Sequence, residues 1–215
     1  MIQQNLPQRV LLIDEHPVCG LGLNALFAKH GNYLLVQQAQ RLRELSDTLK
    51  VDLIIVEIGS LMPKGVAALR ELKNRYPQAS LLVISSYDER LYAERCLKSG
   101  ASGYLMKTQP LPDLLAAIET VASGGLHVSE RVKTVMVNKL AGQEPEGDEP
   151  GFDCLSDKEL LIIEQIGLSK NNKEIAQALQ ISVKTIESHR SRIKAKLKLD
   201  SPQELMRYAM RMHPV

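Results

Sequence analysis

Four apolar runs of this 215-residue chain break off at groups able to hold a cation or an anion. RVLLI (9–13) ends at Asp14-Glu15, DLIIV (52–56) at Glu57, SLLVI (80–84) at Ser85-Ser86 and GYLM (103–106) at Lys107. Carboxylate oxygens suit a hard divalent cation such as Mg²⁺, with Asp14, Glu15 and Glu57 as ligands and Lys107 free for a bound anion. Without a cation, three clustered carboxylates would force one to keep its proton. Glu57 is therefore expected to pair with Lys107 or to share a cation with Asp14 and Glu15. A second concentration of charge lies downstream. Between 181 and 198, Lys184, Arg190, Arg192, Lys194, Lys196 and Lys198 are set against Glu187 alone. Such a run is an ordinary solvated face unless its helix is presented to a polyanion.

The strand-end groups can act together only if their strands lie side by side. A fifth apolar run, YLLVQ (33–37), joins the other four, and amphipathic stretches such as GLGLNALFAKH, GVAALRELKNRY, ERLYAERCLKSG and PDLLAAIETVASG separate them. Five strands alternating with five helices predict a doubly wound parallel α/β sheet. Its two central strands are almost wholly apolar, as burial on both faces requires. Ligands of such sheets bind beyond the carboxyl ends of the strands, where the acids, serine and lysine converge. The stretch AGQEPEGDEPG (141–151) reads as a solvated acidic linker, approached by a helix over 129–140. Beyond it there are helical patterns and no strand signal. The expected organisation is an α/β domain over 8–125, a linker helix and acidic linker over 126–152, and an all-α domain of four helices over 153–215.

Several function classes drop out. Gly20-Leu21-Gly22-Leu23-Asn24-Ala25 fits the G-x-G-x-x-A pattern of dinucleotide sites, but six residues separate it from its strand and Pro17 looks like a helix start. Both glycines then fall inside the first helix. Cys19, Cys96 and Cys154 are scattered and odd in number, as expected of reduced thiols in a cytoplasmic protein. No apolar run approaches the roughly 20 residues of a membrane span, and the N-terminus has no signal-peptide pattern.

In the C-terminal part, Ser156 with Glu159 predicts a capping box opening a helix whose apolar face is Leu160, Ile163 and Ile166 and which ends at Gly167. A second helix starts near Asn172. Ile181-Ser182 makes a turn, and Ser182 caps a third helix from Val183 to about Leu197. On that helix Ile186, Arg190, Ile193 and Leu197 share the inner side. Lys184, Glu187, Ser188, Ser191, Arg192 and Ala195 share an outer face that is short-chained and polar, suited to a major groove.

LLIDEHP, the strand ending at Glu57, LLVISS and GASGYLMK resemble the receiver domain of two-component response regulators over about residues 8–125. The resemblance implies a flavodoxin-like strand order, Asp14 and Glu15 as metal-binding acids, Ser85 as switch hydroxyl, Lys107 as phosphate-pairing lysine and Tyr104 as a rotating aromatic. Glu57 stands where that family carries its phosphoacceptor aspartate, and Pro63 falls later than the family's proline. A longer acid misplaces the attacking oxygen and sets a fixed negative charge near the site of a phosphoryl group, imitating it in part. LSDKELLIIEQIGLSKNNKEIAQALQISVKTIESHRSRIKAKL is similar to the LuxR-type helix-turn-helix of the NarL/FixJ subfamily. That similarity implies Glu187, Ser188 and Ser191 as base readers and Lys173, Lys184, Thr185, Arg192 and Lys194 as phosphate contacts. His189 would either touch the DNA backbone or be packed, and the last helix, PQELMRYAMRM, would supply a dimer contact. The expectation is a regulator that binds double-stranded DNA as a homodimer, independently of phosphorylation, and is not an enzyme. A phosphorylation-competent relay member served by a sensor kinase, and a receiver controlled by a ligand or protein partner, are the alternatives.

Overall fold

The computed structural model describes residues 6–46, 48–142 and 154–211. Most of the predicted acidic linker lies outside the described residues. What is described falls into two compact units, one holding the residues up to 61 and 66–134, the other residues 62–65 and those from 135 on.

The first unit is built on strands β1 (Gln8–Ile13), β2 (Tyr33–Ala39), β3 (Leu53–Val56), β4 (Ser80–Ser85) and β5 (Gly103–Met106). All neighbours are parallel, in the order β2-β1-β3-β4-β5. β3 is buried along its whole length, which its unbroken LIIV sequence requires of a central strand. Helices α1 (Pro17–His30), α2 (Ala67–Arg75), α3 (Glu89–Lys98) and α4 (Leu111–Ala122) cover the sheet. Pro17 opens α1, where a missing N–H costs nothing, and Gly31 closes it in the left-handed conformation, φ 68°, with its N–H donated to Phe27 O. Gly20 and Gly22 lie inside α1. On the α1–α4 side, Leu12, Ile55 and Leu105 of the sheet pack with Leu26, Phe27 and Ile118 into one apolar core. β5 begins on Gly103 because a Cβ there would come within 2.7 Å of Val121 on α4.

The count of five alternating helices needs correction. The described part of the β2–β3 connection holds one 3₁₀ turn, Leu42–Glu44, and no α-helix. The carbonyls of Leu42 and Leu45 accept from the Arg75 guanidinium, and that of Ser46 accepts from the Tyr76 hydroxyl. Side chains from the end of α2 thus hold this connection in place, while the Leu42 and Ser46 carbonyls also accept from the Leu45 and Leu49 N–H groups.

α5 spans Glu130–Leu140. The second unit contains α6 (Asp157–Gly167), α7 (Asn172–Leu179), α8 (Val183–Lys196) and α9 (Pro202–Arg211). Leu160, Ile163 and Ile166 are fully buried, as are Ile175, Ile186, Ile193 and Leu205. Gly167 is the last residue of α6, but the left-handed residue comes two positions later, at Ser169. Among the described residues no helix is long and apolar enough to cross a membrane.

Candidate functional site

Backbone hydrogen bonds carry the sheet ladder one residue past the strands. The N–H of Asp14 donates to Ala39 O, that of Glu57 to Ile13 O and that of Lys107 to Ser85 O. The three side chains therefore leave the sheet at one level. Lys107 Nζ lies 2.9 Å from Asp14 Oδ2 and 2.8 Å from Glu57 Oε2. Both carboxylates are buried, Asp14 at 3% and Glu57 at 5% exposure. Glu57 Oε1 accepts from the Ser85 hydroxyl at 2.8 Å and from the Gly59 N–H at 3.2 Å. Of the two arrangements expected for Glu57, the structure has the ion pair with Lys107.

The three-carboxylate set expected to hold Mg²⁺ is not assembled. Glu15 is exposed, and its link to the site is a backbone N–H donated to Ser60 Oγ at 2.8 Å. Asp14 and Glu57 are brought together, but an ammonium lies between them and neutralises one of the two charges. Among the described residues no three His, Cys, Asp or Glu side chains are grouped to hold a metal ion. As placed, the residues offer a cation two carboxylates already shared with Lys107.

Two groups at the site carried no expectation. His16 caps the Asp14 carboxylate, its N–H and Nδ1 lying 2.8 and 2.9 Å from Oδ1. The D-x-H spacing is the available signal, since a short acid accepts readily from the N–H two residues on. Tyr87 is the other. Its N–H donates to Ser85 Oγ at 3.2 Å, and its carbonyl accepts from the Tyr104 hydroxyl at 2.7 Å. A hydrogen-bonded path thus runs from Glu57 through Ser85 and Tyr87 to Tyr104, whose ring is 1% exposed.

The charges answer this packing. Burial pulls the Asp14 carboxyl upward, but Lys107, the His16 N–H, the Cys19 thiol and the His16 ring together hold it below the ordinary carboxylate value. Burial pulls the Lys107 ammonium downward, and its contacts with Glu57 and Asp14 more than reverse that.

The second site is the α7–α8 hairpin. Asn171 accepts from the Lys173 and Glu174 N–H groups, and Glu174 returns the bond to the Asn171 N–H. This capping box of α7 was legible as N-x-x-E but formed no part of the expectation. Gln180 makes the turn with left-handed backbone, φ 54°, and Ser182 Oγ then caps α8 by accepting from Thr185 N–H at 3.1 Å. Lys173, Lys184, Glu187, Ser188, Ser191 and Arg192 are exposed, while Thr185 and Lys194 are half-buried. Ser188 donates to Lys184 O at 3.0 Å, leaving its oxygen lone pairs available. Arg190 and His189 are half-buried, and burial lowers the affinity of both for protons. Lys196 turns inward to Glu159 Oε2 at 2.6 Å; Glu159 is 3% exposed and also accepts from the Ser156 N–H and hydroxyl. That pair ties the end of α8 to the capping box that opens α6.

Comparison with known proteins gives two family matches. Residues 10–119 match the response regulator receiver domain, and residues 153–209 match the bacterial regulatory proteins of the luxR family. The oxygen regulatory protein NreC of Staphylococcus carnosus is 30% identical over 211 residues, covering 94% of this chain and 97% of that protein. NreC of Staphylococcus epidermidis is equally similar over 212 residues. Among solved structures, RcsB from Salmonella enterica serovar Typhimurium bound to promoter rprA superimposes with a TM-score of 0.70 at 20% identity. That match covers 95% of this chain and 98% of RcsB.

Proposed function

This chain belongs to the response regulators with a LuxR-type DNA-binding domain, transcription regulators and not enzymes, and from that premise we propose that it binds promoter DNA as a homodimer without aspartyl phosphorylation. One observation carries the second half of this reading. Glu57 already engages both groups that a phosphorylated receiver would direct at its phosphoryl oxygens, with Ser85 on one carboxylate oxygen and Lys107 on the other. A carboxylate has one charge and two oxygens where a phosphoryl group has more of each, so the imitation is partial. The receiver then rests between inactive and active forms. Its input arrives as a contact with a protein, a sensor kinase included, or with a ligand.

The α8 surface supports the DNA half. In this reading Glu187, Ser188 and Ser191 meet base edges in the major groove, while Lys173, Lys184, Thr185, Arg192 and Lys194 hold phosphates. RcsB has been solved as dimers on DNA, and a dimer here would read two half-sites. A DNA partner is compatible with work in the cytoplasm. Mg²⁺ is not required in the unphosphorylated state, because Lys107 supplies the positive charge between Asp14 and Glu57.

The test is intact-mass measurement of the full-length protein after incubation with Mg²⁺ and acetyl phosphate. Wild type is expected to gain no phosphoryl mass and Glu57→Asp to gain one group. Near-complete phosphorylation of wild type would overturn the phosphorylation-independent reading and leave the DNA-binding one standing.

A further inference from the structure

Beside the acid pocket, between α1 and the start of α4, lies a cavity of about 480 Å³. Small-molecule sites typically measure roughly 300–1,000 Å³. Its origin is readable in α1, where the positions turned toward the cavity include Gly22 and Ala25, too small to fill the gap. A Cβ built on Gly22 meets nothing within 4 Å. The floor is apolar, made of Leu12, Ile55, Ile84 and Leu105, with Leu114 from α4 opposite Leu26.

Besides Gln109 and the Cys19 thiol, charged groups stand at two places. One is the cluster of Asp14, Glu57 and Lys107, already joined through Lys107 and one charge negative in sum. Lys29 also lines the cavity, is exposed, and makes no ion pair among the described residues. The acid cluster therefore repels an anion, the walls favour an apolar body, and exposed Lys29 offers a cation.

We propose that this cavity binds a small amphipathic monoanion, such as an aromatic or medium-chain carboxylic acid, with its apolar body against the sheet and its anionic group at Lys29. Because Glu57 and Lys107 form part of the wall, such a ligand would act on the pocket that sets the receiver's state. This inference goes beyond the phosphorylation-independent reading and does not depend on it.

The experiment titrates the full-length protein with anilinonaphthalene sulfonate, and in parallel with the uncharged dye phenylnaphthylamine, following fluorescence. One saturable site is expected for the anionic dye. Gly22→Phe, which fills the cavity, should weaken it about tenfold. Lys29→Glu should weaken the anionic dye about fivefold while leaving the uncharged dye nearly unaffected. Bound dye should also slow alkylation of Cys19 by iodoacetamide in wild type, a readout independent of how well any variant folds. Equal dye affinity in Gly22→Phe, or unchanged Cys19 alkylation, would overturn the cavity as the site. Equal sensitivity of both dyes to Lys29→Glu would overturn the anionic class. DNA affinity of the dye-free protein, measured on the same preparations, reports on the DNA-binding reading separately.

Discussion

Lys107 is one cation between two buried carboxylates, so its removal should cost more than the loss of an exposed ion pair. Lys107→Ala leaves Asp14 and Glu57 facing each other unneutralised, an arrangement that costs about 3–5 kcal/mol. Urea unfolding of the receiver transition should show a loss of that size near neutral pH. The pH dependence fixes the cause. Asp14 titrates lower in the folded state than unfolded, so its stabilisation is complete above the unfolded value of about 3.9 and is lost as pH falls through the folded value. Lys107 titrates higher when folded; its contribution holds below about 10.4 and is lost as pH rises past the folded value. Both statements describe one ion cluster and are counted once. The gap between wild type and Lys107→Ala should therefore be flat around neutrality and close below about pH 4. A gap that persists in acid would mean lost packing and not lost charge. At this scale Asp14, Glu57, Ser85 and Lys107 were legible because each ends an apolar run, and parallel strands bring such ends to one edge. Glu15 was expected beside Asp14, but of the two only Asp14 is buried, a difference that sequence adjacency does not show. Tyr87 was invisible because it takes part through its backbone.

Within α8, charge alone does not separate residues that meet DNA from residues that hold the helix in place. Lys184 is exposed at the start of the helix, whereas Lys196 is committed to buried Glu159. Lys184→Ala should lower DNA affinity on all sequences and reduce the salt slope by about one. Lys196→Ala should leave that slope nearly unchanged and instead lower the stability of the helical unit, as should Glu159→Ala. Burial raises the Glu159 carboxyl, but Lys196 and Ser156 together hold it below its ordinary value, so its stabilisation is complete above about pH 4.3 and fails as pH falls through the folded value. Equal salt-slope changes for the two lysine variants would contradict this division. Ser191→Ala should instead change which sequences are preferred, read by selection from a randomised DNA pool. The helices themselves were legible from their starts: Ser156 and Ser182 satisfy free N–H groups, and Pro17 has none to satisfy. The absence of a helix between β2 and β3 was not, and the side chains that hold this connection, Arg75 and Tyr76, come from some thirty positions along the chain.

For the molecule as a whole, family membership gives a DNA-binding regulator, and in the reading proposed above Glu57 sets the mode of control. The path from Glu57 through Ser85 and Tyr87 to Tyr104 gives the acid pocket a physical connection to a buried ring. A carboxylate that imitates a phosphoryl group in part, biasing the receiver by about 1–2 kcal/mol, leaves both forms populated. Cutting the path at Ser85, or removing the cation at Lys107, should shift that balance without touching any DNA-contacting residue. The most direct measurement is DNA affinity, with dimer fraction, for wild type with and without acetyl phosphate and Mg²⁺, and for Ser85→Ala and Lys107→Ala at the same salt. The DNA is a site selected in vitro with the wild-type protein. Wild type should bind unaided and be unchanged by the phosphodonor, while both variants bind about fivefold more weakly and dimerise less. Binding that appears only after phosphodonor treatment, or affinities indistinguishable across all three proteins, would contradict control by Glu57.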